Sequence, residues 1–307
     1  MKILLTGGTG FIGSYILIEL LKQGHEVTVL ARDKNKVPAL HTLENVRVLE
    51  VSLTNFSGIT EALVGQDACV HVALHYNDES AYHMLTHDTT SSIYLATEAA
   101  KAGLSHFIYT SSTAALDNIY SNQHNYPHPV SETLKHDPQS YYGATKAATE
   151  NYLMAIGSQT GMHISIVRPG YTFGNPVIEG AFTQPDQRFH EIVKAACSHK
   201  DIEIIKHDGT QFTWAGDLAK IYSALLQTNI HREVFFGLAQ EFTSWEYIAE
   251  EAIKITNSRS KIVCKDLGWS SSPLLFDVNK IKEIFNLSFS PHPHITNHIS
   301  YLASKYS

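Results

Sequence analysis

The chain has 307 residues, 43% hydrophobic and 17% charged, a composition for a soluble globular protein with an ample core, either one large α/β domain with an appended lobe or two domains. Its net charge of −7 leaves no basic footprint for nucleic acid or an anionic membrane surface. The three cysteines, Cys69, Cys197 and Cys264, are odd in number and far apart, so neither a disulfide framework nor a cysteine zinc site is expected, and a reducing cytoplasm fits best.

In chain order, residues 2–5 form a short apolar run that predicts a buried parallel strand. With a strand starting at residue 2, no signal or transit peptide is expected, and no apolar run reaches membrane-spanning length. Ile12, Tyr15, Ile16, Leu20 and Leu21 then fall near helical spacing, which predicts a helix from about Phe11. Gly7, Gly10 and Gly13 lie across that junction. Glycine there permits a tight turn, close approach of backbone N–H groups to a pyrophosphate, and close packing of helix on strand. The first-turn residues Phe11, Ile12 and Gly13 then present the positive end of the helix to the phosphates.

A second strand, Glu26–Ala31, ends before Arg32 and Asp33. In dinucleotide-binding folds an acidic residue near this point bonds the adenosine ribose of NAD, whereas an arginine accommodates the 2′-phosphate of NADP. Ala31 offers no carboxylate, so Arg32 favours NADP over NAD; the alternative is a solvated arginine–aspartate loop pair. Residues 45–50 and 68–73 predict further strands around a short helical stretch at 59–64. Residues 95–102 belong to a longer helix, and His106–Thr110 to a fifth strand. This alternation predicts right-handed βαβ crossovers, a doubly wound parallel sheet, and ligands at the carboxyl ends of its strands.

After the fifth strand comes Ser111-Ser112-Thr113, and further on Tyr142 precedes Lys146 by four residues on a predicted helix. That spacing puts both side chains on one face. A phenol with a pKa of about 10 is a poor base at neutral pH, and a neighbouring ammonium favours its phenolate and makes proton exchange feasible.

The glycine pattern, the serine cluster and Tyr142-x-x-x-Lys146 together resemble the extended short-chain dehydrogenase/reductase family, the NAD-dependent epimerases/dehydratases. Residues 65–73, Arg168-Pro169-Gly170 and residues 212–219 carry further likeness. The resemblance implies a Rossmann-type domain over residues 1–170, with later segments around 202–227 returning to it, and a substrate lobe mainly over 171–307. It implies Tyr142 as acid/base, Lys146 at the nicotinamide ribose, and Ser112 on the reacting oxygen, with Ser111 and Thr113 as neighbours that could be confused with it. Hydride would pass between substrate carbon and nicotinamide. Gly7, Gly10 and Gly13 would contact the pyrophosphate, and Ala73 and Leu74 would pass beside the cofactor. The family also implies a homodimer.

Several positions depart from the family pattern. Sugar-nucleotide dehydratases carry Asp-Glu where this chain has Thr113-Ala114, which argues against dehydration. Many nucleotide-sugar epimerases have an asparagine where Tyr171 stands and an arginine near Thr210 or Gln211. Without that arginine a diphosphate loses a bidentate partner, unless Arg188 or Lys194 substitutes. Ser52 replaces an aspartate often found near the adenine. Hydride transfer from NADPH to a carbonyl substrate is therefore the first expectation. A nucleotide-sugar epimerase that transiently oxidises its substrate is the alternative. A non-catalytic NAD(P) sensor is the third, opposed by the presence of Ser112, Tyr142 and Lys146 together.

In the second half, residues 187–197, Ala215–Leu226, 244–255, 277–285 and 295–303 predict helices, and Ile202–Ile205 and 233–236 strands. Trp214, Tyr171 and Phe182 are candidate pocket-lining residues, with core packing the competing role. Eighteen histidines invite a metal site. The pairs His71/His75, His83/His87 and His124/His128 lack the glutamate of a zinc hydrolase motif, so no metal is expected. His292, His294 and His298 read as tail or cap residues. The polar loop of residues 116–139, with three prolines, is long enough to suggest a lid.

Overall fold

A computed structural model describes residues 1–75, 80–119, 129–183 and 186–306. In chain order its elements are β1 (Lys2–Thr6), α1 (Phe11–Lys22), β2 (Glu26–Ala31), β3 (Val46–Glu50), α2 (Phe56–Ala62), β4 (Ala68–His71), α3 (Ala81–Met84), α4 (Thr90–Lys101), β5 (His106–Thr110), α5 (Tyr141–Thr160), β6 (His163–Pro169) and β7 (Thr172–Phe173). There follow α6 (Arg188–Cys197), β8 (Ile202–Ile205), β9 (Gly209–Thr210), β10 (Thr213–Trp214), α7 (Ala215–Leu226), β11 (Glu233–Gly237), β12 (Thr243–Ser244), α8 (Trp245–Ile255), β13 (Ile262–Lys265), α9 (Asn279–Phe285) and α10 (His292–Tyr306).

Seven strands form one sheet in the order β3-β2-β1-β4-β5-β6-β11, and every pairing in it is parallel. β4 and β5 are buried throughout, which is why their apolar runs do not alternate. Helices cover both faces. α1 and α7 pack on one side, in a core with Ile16, Leu20, Leu218 and Tyr222, and α2, α4 and α5 cover the other with Ile59, Leu95 and Leu153. The sheet is Rossmann-type, and its strand order reverses between β1 and β4. A crevice opens at the carboxyl ends of such a pair.

β4 stops at His71 rather than at residue 73: the N–H groups of Val72 and Ala73 turn onto the Thr6 hydroxyl, both at 3.1 Å, with Val72 keeping a 3.3 Å bond to the Thr6 carbonyl. The return to the main sheet also differs from the expected 202–227. Ile202–Ile205 pairs in parallel with β13, apart from the large sheet, while α7 packs on α1 and β11 completes the sheet beside β6. The smaller lobe has its own core, in which Phe173, Phe189, Phe212, Trp245, Ile248, Ile295 and Leu302 join α6, α8 and α10. Among the described residues no helix is long and apolar enough to cross a membrane.

Candidate active site

The turn from β1 into α1 is built for close backbone approach. Gly7 has φ of 77°, and a Cβ on it would lie 2.7 Å from the backbone nitrogen of Ala73. A Cβ on Gly13 would come within 2.0 Å of the Gly7 carbonyl oxygen, to which Gly10 donates its N–H at 2.8 Å. Gly10 is the N-cap of α1, no side chain caps that end, and no acidic residue stands in the first turn. The positive end of the helix, at Phe11, Ile12 and Gly13, is therefore open, and the glycines leave room for a pyrophosphate against it. The residues present fit a dinucleotide. Ala73 lies against Gly7, and Leu74 beside it is exposed.

Arg32 is exposed at the end of β2 and makes no ion pair or hydrogen bond among the described residues. Asp33 does not pair with it; its Oδ1 accepts from the N–H of Asn35 at 2.9 Å.

α5 starts at Tyr141, with the Ser140 hydroxyl accepting from the N–H of Gly143 at 3.0 Å, so Tyr142 and Lys146 occupy its first two turns. Lys146 is buried, donates from Nζ to the carbonyl of Thr110 at 3.2 Å, and lies 5.7 Å from the centre of the Tyr142 ring. Burial opposes its charge, but the oxygens of Tyr109, Asp88 and Tyr142 outweigh it and hold the ammonium above the ordinary lysine range. Burial also raises the Tyr109 phenol, which stays neutral at neutral pH, so the charge of Lys146 owes more to its other neighbours, Asp88 among them. Sequence spacing does not single out Asp88. It is buried on a π turn, Leu85–Thr89, between α3 and α4, where its Oδ1 accepts from the N–H of His75 at 2.9 Å.

Of the three hydroxyl residues after β5, Ser112 alone is only half-buried, its Oγ accepting from the N–H of Ala114 at 3.1 Å. Thr113 is buried, and Ser111 is buried with its hydroxyl donated to Glu150. Lys146 bonds the carbonyl two residues before Ser112, so β5 and α5 bring these side chains to one end of the sheet.

His71 joins the glycine turn to the π turn. Thr6 Oγ1 already accepts from Val72 and Ala73, so its own proton goes to His71 Nδ1 at 2.6 Å. His71 Nε2–H then donates to Ser92 Oγ at 2.8 Å, and Ser92 donates to the Asp88 carbonyl at 2.8 Å. That chain needs a neutral imidazole, and burial, helped by the Lys146 charge, lowers its pKa to about 3. In the small lobe, burial followed by the charges of His190 and Lys305 lowers His298 to about 4. Both folded-state values lie below the unfolded value, so this stabilisation is present above about pH 6.5 and is lost as pH falls towards the folded values. Chemical denaturation at pH 5 should show a loss of roughly 2 kcal/mol per such histidine relative to pH 7. Equal stability at the two pH values would contradict their neutral burial.

Of the pairs His71/His75 and His83/His87, the second meets as its spacing suggests and the first does not. His71 is separated from His75, whose ring instead meets those of His83 and His87, with centroids 4.8 and 5.2 Å away, while His83 and His87 stack at 4.1 Å. His124 and His128 lie outside the described residues. His292, His294 and His298 are not tail residues but belong to α10: His294 stacks on Trp214 at 4.0 Å, and His298 is buried against Asn175, 2.6 Å away. Tyr171 sits in an aromatic cluster with Phe212, Trp245 and Phe189. Phe182 is exposed under the Lys36 ammonium, and its N–H bonds the Thr9 carbonyl at 3.1 Å, which places it at the glycine turn. Of the long loop, residues 120–128 lie outside the description, and so does the lid expected there. Residues 129–140 are tied down by Val130 bridging Phe276 and by Arg168 donating to the Glu132 carbonyl at 3.0 Å.

Gln211, near the position of the family's arginine, is buried, donating to the carbonyls of Ala239 and Phe276 and accepting from the N–H of Phe276 at 2.7 Å. Thr210 lies in β9, paired with Thr243. Arg188 pairs with Asp208 and covers Trp245 at 4.2 Å, and Lys194 is on the exposed side of α6.

Residues 3–235 match the NAD dependent epimerase/dehydratase family. The chain is 29% identical over 183 residues to a decarboxylating sterol-4-alpha-carboxylate 3-dehydrogenase of Dictyostelium discoideum, a match covering 57% of this chain and about half, 54%, of the relative. It is 27% identical to an uncharacterized UDP-glucose epimerase of Bacillus subtilis (strain 168), covering 100% of this chain and 99% of the relative. Its fold superimposes with a TM-score of 0.81 on the crystal structure of UDP-glucuronic acid 4-epimerase from Bacillus cereus in complex with UDP-glucuronic acid and NAD, at 22% identity and 100% coverage of both chains.

Proposed function

The chain belongs to the NAD dependent epimerase/dehydratase family, whose members are NAD(P)-dependent enzymes, and on that premise we propose that it reduces a carbonyl substrate with NADPH. The bound nicotinamide supplies the hydride chemistry. Tyr142 gives its phenolic proton to the substrate oxygen, the Lys146 ammonium stabilises the phenolate that remains, and Ser112 hydrogen-bonds the reacting oxygen. The lobe spanning residues 1–170, with α7 and β11, binds the dinucleotide, and the rest of the chain faces the substrate.

Net reduction is preferred over epimerisation because of Gln211: all its hydrogen-bonding capacity used here goes to the backbone at Ala239 and Phe276, leaving no bidentate cation for a diphosphate at that position. Full-length similarity to an epimerase supports the second reading, in which retained NAD is reduced and reoxidised in place. A fluorescence titration with NADPH and NADH separates the two. Freely exchanging NADPH, bound more tightly than NADH, fits the reductase; tightly retained NAD and conversion of UDP-glucose would move the epimerase to first place.

Arg32 is the proposed contact for the 2′-phosphate. Arg32→Ser should weaken NADPH binding about tenfold or more and leave NADH within about twofold, since a charge-assisted pair contributes about 1.5–3 kcal/mol. An equal effect on both nucleotides would remove Arg32 from that role. Tyr82, Leu85 and Tyr152 are exposed on adjoining helical segments, which supports a homodimer there; sedimentation of a monomer at micromolar concentration would reject it. The three unpaired cysteines support a cytoplasmic location, which fractionation would contradict by finding the protein outside it.

A further inference from the structure

Glu150 lies four residues beyond Lys146 and eight beyond Tyr142, on the same face of α5. Its carboxylate is buried and gathers groups from three other segments. Ser111, next to Ser112 at the end of β5, donates its hydroxyl to it. Arg168, buried on β6, donates from Nε at 2.9 Å and from Nη2 at 2.6 Å, a bidentate pair. His136 Nε2, on the segment leading into α5, lies 2.9 Å from Oε2, the oxygen that Arg168 Nη2 also takes, and 2.9 Å from Nη2 itself. Burial opposes the charge, yet the bonds from Arg168, His136 and Ser111 bring the Glu150 pKa down to about 2, so it is ionised at neutral pH. Glu150, His136 and Arg168 line a cavity of about 470 Å³.

We propose that Glu150 is a positioning residue: by holding Ser111 and Arg168 together it sets the end of β5, and with it Ser112, against the Tyr142–Lys146 face of α5. The proposal rests on the reading that those three side chains do the chemistry. Its reporter is the 3.2 Å bond from Lys146 to Thr110, which joins the same strand end to the same helix. In Glu150→Gln an amide nitrogen replaces one carboxylate oxygen and faces an Arg168 donor, so the fork cannot form, while the remaining oxygen can still accept from Ser111. Arg168→Lys keeps the charge and loses the fork.

The deciding variant is Glu150→Met combined with Arg168→Leu, because well-packed apolar residues can replace a buried ion pair without loss of stability. With NADPH and 4-nitrobenzaldehyde as the probe, Glu150→Gln and the double variant should both lose at least about tenfold in kcat, with KM and the NADPH Kd within about twofold, since a misplacement of 1 Å can cost a hundredfold. The double variant should do so with its melting temperature near that of the parent. Crystal structures of both should show the Lys146–Thr110 bond opened, and that of the double variant Ser111 rotated as well. A double variant that regains kcat along with stability, or that keeps the Lys146–Thr110 bond and Ser111 in place, overturns the proposal. Should the parent protein not reduce the aldehyde, the reductase reading fails by itself, and the crystallographic comparison still decides the role of Glu150.

Discussion

Tyr142→Phe is expected to lower kcat by about 10²–10⁴-fold while NADPH binding stays within about twofold, because it removes one hydroxyl and little volume from the first turn of α5. The size follows from the role. Without the phenol, no group one turn from Lys146 can deliver a proton to a developing alkoxide, and the ammonium has no phenolate to stabilise. Lys146 keeps its bond to the Thr110 carbonyl in the variant, so the fold of the site should survive. The measurement is steady-state turnover of a reducible carbonyl alongside a nucleotide titration. Unchanged turnover would remove Tyr142 from the chemistry and revive the reading of the protein as a cofactor-binding sensor.

Gly13→Ala is expected to weaken binding of both NADPH and NADH at least about a hundredfold, as the backbone cradle and the open helix end act together on the pyrophosphate. The added methyl would sit 2.0 Å from the Gly7 carbonyl oxygen, a contact with backbone on which no side chain can yield. To relieve it, the turn must open, which also breaks the 2.8 Å bond from Gly10 to Gly7. Loss of both nucleotides together distinguishes this position from Arg32, whose replacement affects only the phosphorylated one. Isothermal titration of each nucleotide tests it, and an alanine variant binding as the parent does would show that the turn is not the cradle. The close approach of Gly7 to Ala73 makes the same demand from the other side, through φ of 77°.

The parts of the candidate site that are local in sequence could be named from the sequence. The glycine turn declares itself because the conformations it needs are available to few residues besides glycine. Tyr142 and Lys146 declare themselves because four residues make about one helical turn. The strands and helices of the first half follow from apolar runs and periodicity, and the family resemblance rested on those same stretches. What stayed hidden depends on partners far along the chain. Ser111, Ser112 and Thr113 are chemically alike, and they separate only because Glu150 takes Ser111 and the turn buries Thr113. Asp88 looks like any helix aspartate until the π turn buries it, with its carboxylate accepting from the N–H of His75. Arg168 reads as part of a turn motif, whereas in the fold it is a buried partner for α5.

The sequence by itself therefore determined the doubly wound sheet, the open N-terminus of α1 and the pairing of Tyr142 with Lys146, since each is written in spacing and in residue-specific backbone freedom. Tertiary structure alone decided that residues 233–237, rather than 202–205, close the large sheet, that Gln211 belongs to the backbone of Phe276, and that His298 is buried in the core of the small lobe. Those outcomes are choices among partners of similar propensity, made by which arrangement buries the most apolar surface while leaving the fewest polar groups unpaired.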